Sequence, residues 1–139
     1  MHLRRIILCL IPLFLFSCKG ENLCRTSIGI TNFSLEPNSA AYSGLNTVGG
    51  YEYLTGGNRG VVVVRTALNE FVAFDRTCPE DNTSQCSFSE GWGGTIMECP
   101  TCHTLFNLYA NGTPIDGGRT TCNLYEYSTT YDGYRLYIY

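Results

Sequence analysis

The sequence predicts an all-β domain of small antiparallel sheets, arranged as a sandwich or a barrel. Short runs rich in β-branched and aromatic residues recur along the chain, and glycine-containing turns separate them. Apolar residues do not recur at the three- and four-residue spacing of an amphipathic helix. Short strands at regular spacing with such turns are typical of β-sandwiches and barrels.

The N-terminus precedes that domain and has the features of a secretory signal. Two arginines precede an apolar run over residues 6–16, which is shorter than the about 20 residues of a membrane-spanning helix. The run ends in Leu15-Phe16-Ser17-Cys18, which resembles a bacterial lipobox. We therefore expect cleavage before Cys18 and a lipid on its thiol, although an ordinary signal peptide with an incidental Cys18 is the alternative. A lipid there would anchor the protein to a bacterial membrane, in the periplasm or at the cell surface.

Three segments follow from this reading: a signal peptide over residues 1–17, a lipidated tether over 18–40, and one β domain over 41–139. Cleavage leaves 7 basic and 12 acidic residues, a net charge of about −5. No basic run remains, which argues against nucleic acid as a partner. A lipid membrane and an unidentified redox or protein partner are the expected contacts.

The predicted strands begin after the tether. Their ranges are 51–54, 61–66, 70–75, 95–98, 104–108, 124–129 and 134–139. The run of four valines from Val61 predicts a strand buried on both faces. Asn111-Gly112 and Asp132-Gly133 predict tight hairpin turns, and Asp116-Gly117-Gly118 predicts a further turn.

The final predicted hairpin joins residues 124–129 to residues 134–139. In its last strand, Tyr134, Leu136 and Ile138 share one face, because side chains two residues apart point the same way. We expect that face to belong to the core.

Six of the eight cysteines belong to the folded part, since Cys9 leaves with the signal and Cys18 takes the lipid. They are Cys24, Cys78, Cys86, Cys99, Cys102 and Cys122. An even number of cysteines in an oxidising compartment makes disulfides the default expectation. Cys24 and Cys122 are candidates for a disulfide between the tether and the last hairpin.

Two cysteine motifs each follow a predicted strand, about 20 residues apart. They are Cys78-Pro79-Glu80 and Cys99-Pro100-Thr101-Cys102-His103. Loops at one end of neighbouring hairpins can converge on one ion or cluster, and thiolates suit iron and zinc. The second motif, continued through Thr104-Leu105-Phe106, resembles the second ligand loop of Rieske iron–sulfur domains. The resemblance covers about residues 45–139 and implies a Rieske-like fold with a [2Fe-2S] cluster.

The ligand set departs from that family. A Rieske centre uses two cysteines and two histidines, but the mature chain has one histidine, His103, which lies one place beyond the ligand position. Cys102 and Glu80 stand where the two histidines belong. A cluster would therefore need altered ligands from Cys78, Cys99, Cys102 and His103, with Cys86 or Glu80 in addition, and added thiolates would lower its reduction potential.

Three other interpretations remain open at this stage. The same residues fit one structural zinc ion, because the two-residue spacing of Cys99 and Cys102 is common among zinc ligands. Alternatively, disulfides join Cys78 to Cys99 or Cys102, with Cys86 taking the other, and no metal binds. Cys99 and Cys102 also have the spacing of a redox-active dithiol, but the βαβ setting of such motifs is missing.

The sequence favours an electron carrier, with a cofactor-free or zinc-stapled structural module as the alternative. Neither a phosphate-binding loop nor a nucleophile elbow occurs in it. His103 is a poor general base for Cys102, because adjacent side chains on a strand point to opposite faces. An electron carrier or a structural module is thus expected over a catalyst.

Overall fold

A computed structural model describes Cys24, Gly29 and residues 31–115 and 119–139. The predicted signal peptide, Cys18 and the turn at Asp116-Gly117-Gly118 lie outside the described residues. Within the described part, no helix is long and apolar enough to cross a membrane. Two short 3-10 helices, Ala40–Leu45 and Leu108–Ala110, accompany the strands.

Eleven strands occur in the described ranges, and every pairing between them is antiparallel. In chain order they are β1 (Phe33–Leu35), β2 (Tyr51–Leu54), β3 (Val61–Ala67), β4 (Glu70–Asp75), β5 (Ser87–Phe88), β6 (Ile96–Glu98), β7 (Leu105–Asn107), β8 (Thr113–Pro114), β9 (Glu126–Tyr127), β10 (Thr129–Tyr131) and β11 (Leu136–Ile138). The all-β prediction is confirmed, and the sheets do not close into a barrel.

The described strands form three sheets. The terminal sheet has the order β1-β11-β10, the central sheet β2-β3-β4-β9, and the distal sheet β5-β6-β7-β8. The first cysteine motif lies in the connection from β4 of the central sheet to β5 of the distal sheet. The second lies at the turn between β6 and β7.

The central sheet separates two apolar cores. Val61 to Val64 are fully buried, and alternate side chains of a strand point to opposite faces. Val62 and Val64 therefore pack with Phe74 and the four unbridged cysteines, while Val61 and Val63 pack toward the terminal sheet. This burial agrees with the predicted strand that is buried on both faces.

The C-terminal segment differs from the single hairpin expected. β9 pairs with β4 of the central sheet, whereas β10 pairs with β11 of the terminal sheet. Leu136 and Ile138 are buried, but Tyr134 is 65% exposed, so placing Tyr134 on the core face was wrong. Strand pairing begins only after Tyr134, which lies in the bend that follows Gly133.

The segment expected to be a tether contributes to the fold. Phe33–Leu35 forms β1 and pairs with β11, and Leu35 is buried in the core between the central and terminal sheets. The strand predicted over 104–108 also ends earlier, at Asn107. There the Asn107 side chain accepts a hydrogen bond from the backbone N–H of Tyr109 and starts a 3-10 turn.

A disulfide joins Cys24 to Cys122, 98 residues apart in sequence. These are the two cysteines that the sequence analysis named as a disulfide pair. The bond ties the N-terminal segment to the chain that enters β9.

Replacing both Cys24 and Cys122 with alanine removes a cross-link that restricts the unfolded chain over a long loop. We expect the free energy of unfolding to fall by about 2–5 kcal/mol. Urea denaturation, with the midpoint and the slope both recorded, measures the change. An unchanged midpoint would contradict the role assigned to this bond.

Candidate metal centre

Four cysteines from two loops meet between the central and distal sheets. The first loop, residues 76–86, connects β4 to β5 and carries Cys78 and Cys86. The second loop, residues 99–104, connects β6 to β7 and carries Cys99 and Cys102. All four are buried and none is in a disulfide.

The two loops begin with the same backbone turn. In each, a cysteine is followed by proline, and the cysteine carbonyl accepts a hydrogen bond from the N–H four residues later. The distance is 2.9 Å from the Asn82 nitrogen to the Cys78 carbonyl oxygen, and also 2.9 Å from the His103 nitrogen to the Cys99 carbonyl oxygen. Asn82 and His103 have φ values of 58° and 57°, which non-glycine residues seldom adopt. The structure therefore repeats one turn twice, with Asp81 at the place that Cys102 occupies in the second loop.

These turns point backbone N–H groups at sulfur. In the first loop, the N–H groups of Glu80 and Asp81 donate to the Cys78 sulfur. In the second, the Cys102 N–H lies 3.5 Å from the Cys99 sulfur. Such hydrogen bonds favour the thiolate form, which is the form that binds a metal.

The sulfur atoms lie close enough to share one ion. Those of Cys78, Cys86 and Cys99 all lie within 4.8 Å of one another, and Cys102 Sγ is 3.6 Å from Cys78 Sγ. Cys78, Cys86 and Cys99 can thus hold a metal ion, with Cys102 at their edge. No other group of metal-binding side chains as compact as this was found within the described ranges.

The cluster distributes charge unevenly when no metal is bound. A hydrogen bond from the Cys86 thiol, with further ones from Cys99 and from backbone N–H groups, lowers the pKa of Cys78 against the opposing effect of burial. The reciprocal bond to Cys78 and burial raise the pKa of Cys86, and burial raises that of Cys99. One thiolate at Cys78, held by neighbouring thiols, is the arrangement that these interactions favour.

A buried carboxylate fixes the start of the first loop. Asp75 Oδ1 accepts hydrogen bonds from the N–H and the hydroxyl of Thr77, at 2.9 and 2.6 Å. Asp75 Oδ2 accepts from the Asn58 N–H at 2.6 Å and from the Tyr127 hydroxyl at 2.7 Å. Sequence analysis gave Asp75 no role, because an aspartate at a strand end has no motif that marks it.

The remaining predicted site residues lie outside this sulfur group. The His103 side chain is 74% exposed, and its Nδ1 lies 3.1 Å from Glu98 Oε1 on the surface. Glu80 is exposed and contributes its backbone N–H to the Cys78 sulfur. Cys86, named only as an additional ligand or disulfide partner, lies within the group instead.

Comparison with known proteins found no match, neither to a family model nor to a curated sequence. The case for this site therefore depends on its own geometry.

Replacing His103 with glycine should leave zinc binding by the purified protein unchanged, because the imidazole points to solvent. Glycine relieves the left-handed backbone at this position, and this gain offsets the loss of the exposed contact between His103 and Glu98, so we expect the free energy of unfolding to change by less than about 1 kcal/mol. Asn82→Gly, at the equivalent place in the first loop, is the matched control. Weaker zinc binding in H103G but not in N82G, measured by competition with a chelator, would make His103 a ligand.

Proposed function

We propose that this protein binds a single zinc ion through Cys78, Cys86, Cys99 and Cys102, and that the ion staples the two loops together. The observation that carries the proposal is the closeness of the sulfurs: those of Cys78, Cys86 and Cys99 lie within 4.8 Å of one another, and Cys102 Sγ lies 3.6 Å from Cys78 Sγ. The protein is then a metal-stapled β module whose centre serves structure.

The distances support a single ion over a two-iron cluster. A tetrahedral ion with metal–sulfur bonds of about 2.3 Å separates its ligands by about 3.8 Å. The 3.6 Å between the Cys78 and Cys102 sulfurs is close to that edge, and the sulfurs of Cys78, Cys86 and Cys99 lie within 4.8 Å of one another. A [2Fe-2S] cluster spreads its thiolates over two bridged irons, so it needs two separated pairs.

The chemistry of the ligands supports zinc. Four thiolates in a tetrahedral arrangement suit zinc or iron, and zinc binds more tightly than ferrous iron at a given site of this kind. Four protein ligands also close the coordination sphere, which is typical of structural zinc sites and leaves no place for a substrate. Two surface depressions elsewhere, one lined by residues near Phe71 and Tyr131, include no cysteine.

A [2Fe-2S] electron carrier is the second candidate. Two equivalent Cys-Pro turns, one after β4 and one after β6, favour it, since they stand in the chain order of the two ligand loops in the Rieske resemblance noted above. The thiol contacts across the loops would then have to widen on cluster assembly. Whichever metal is bound, we also propose that a lipid is attached at Cys18 and that the protein lies outside the cytoplasm. A redox or protein partner belongs to the same proposal.

Zinc-loaded protein should contain one zinc per chain and no sulfide. Replacing Cys86 or Cys99 with serine should weaken zinc binding strongly, because each change removes one of four thiolates. Elemental analysis and chelator competition measure both. Removing the metal should also lower the midpoint of thermal unfolding, since binding to the folded chain stabilises it.

The matched control is the Cys24→Ala/Cys122→Ala double variant, which loses two cysteines outside the cluster and should keep one zinc per chain. Two irons and two sulfides per chain after anaerobic expression would contradict the zinc site and support the [2Fe-2S] electron carrier. A metal-free protein whose four central thiols are oxidised would contradict both candidates.

A further inference from the structure

Cys86 differs from the other three cysteines in how its backbone is held. Cys78, Cys99 and Cys102 belong to the two Cys-Pro turns, whose hydrogen bonds orient their sulfurs. Cys86 is the last residue of the first loop, seven intervening residues after Cys78, and directly precedes strand β5. Its own N–H and carbonyl take no part in the hydrogen bonds of those turns.

Arg76 binds both polar groups of the Cys86 backbone. The Cys86 N–H donates to the Arg76 carbonyl at 2.7 Å, and Arg76 Nε donates to the Cys86 carbonyl at 2.9 Å. A main-chain group and a side-chain group of one residue thus hold Cys86 from two sides. Any other side chain at position 76 keeps the first bond and loses the guanidinium geometry of the second.

The Arg76 side chain is held in turn by Tyr53. Its guanidinium carbon lies 3.8 Å from the centre of the Tyr53 ring, within the range of a cation–π contact. The Tyr53 hydroxyl accepts a hydrogen bond from the Phe88 N–H at 2.9 Å. Arg76 and Tyr53 together therefore fix residues 86–88 against the central sheet.

The charge of Arg76 also favours a role for this residue beside Cys86. Four thiolates around a zinc ion carry a net charge of −2, which is costly to bury without a compensating cation. The Arg76 guanidinium interacts electrostatically with Cys86 and is only partly exposed. It places a positive charge beside the cluster at the ligand that the turns do not support.

We propose that Arg76 is the positioning residue for the Cys86 thiolate, and that it determines whether the centre holds its ion by four sulfurs or three. The proposal rests on the metal site argued above. A positioning residue of this kind commonly changes metal affinity by about 10- to 100-fold.

Cobalt(II) substitution tests the proposal, because the sulfur-to-cobalt charge-transfer absorption grows with the number of thiolates bound. In Arg76→Gln we expect that absorption to fall by about a quarter, as one of four thiolates leaves the ion. Zinc affinity, measured by chelator competition, should fall by about 10- to 100-fold. Arg76→Lys keeps the charge without the planar guanidinium and should give intermediate values.

Arg135→Gln is the matched control, because Arg135 forms a half-exposed ion pair with Glu36 in another part of the molecule. It should keep the wild-type spectrum and affinity. Wild-type values in R76Q, with four thiolates in the unaltered protein, would overturn the role of Arg76 and leave the metal site standing. Failure of the unaltered protein to bind cobalt through thiolates would overturn both, and if R76Q does not fold, R76K decides by the same two readings.

Discussion

The convergence of four buried thiols is the constraint on which the rest of the account depends. Two loops that start from different sheets bring the sulfurs of Cys78, Cys86 and Cys99 within 4.8 Å of one another and that of Cys102 to 3.6 Å from Cys78 Sγ. Val62, Val64 and Phe74 of the central sheet form the wall behind them. Because this cluster lies at the junction of the central and distal sheets, an ion there would link the two sheets through bonds stronger than apolar contact.

The central sheet makes that convergence possible. The cysteine loops and the distal sheet pack on one of its faces, and the terminal sheet packs on the other. Packing on both faces therefore fixes the position of the central sheet. At its end, the buried Asp75 carboxylate collects four hydrogen bonds and aims the chain at Cys78. A charged group buried to this degree is tolerable only with such partners, which fixes the direction of the first loop.

The sequence predicted the parts of the fold that local patterns control. Residues 51–54 and 70–75 form strands with the predicted bounds, because turns with glycine or asparagine flank them. The run of four valines from Val61 predicted a strand buried on both faces from composition alone. Asn111 and Gly112 both have the positive φ of the predicted turn, but the connection between β7 and β8 spans residues 108–112 and is longer than the two-residue hairpin expected.

Features that depend on distant contacts were not predictable in this way. β1 has three residues, too few for a periodic signal, and exists because β11 pairs with it. Tyr134 alternates correctly with Leu136, yet it precedes the pairing and remains exposed. In the site, His103 is adjacent to a ligand in sequence, but its left-handed backbone sends the ring to Glu98. The backbone of Cys86 is held by two hydrogen bonds to Arg76, which no motif marks.

X-ray absorption spectroscopy at the zinc edge tests the central claim most directly, because it reports the atoms around the ion in solution. A single ion held by this cluster should show four sulfur neighbours at about 2.3 Å and no second metal. Nitrogen or oxygen atoms in place of two or more sulfurs, or a neighbouring metal atom, would contradict convergence of the four thiols on one ion.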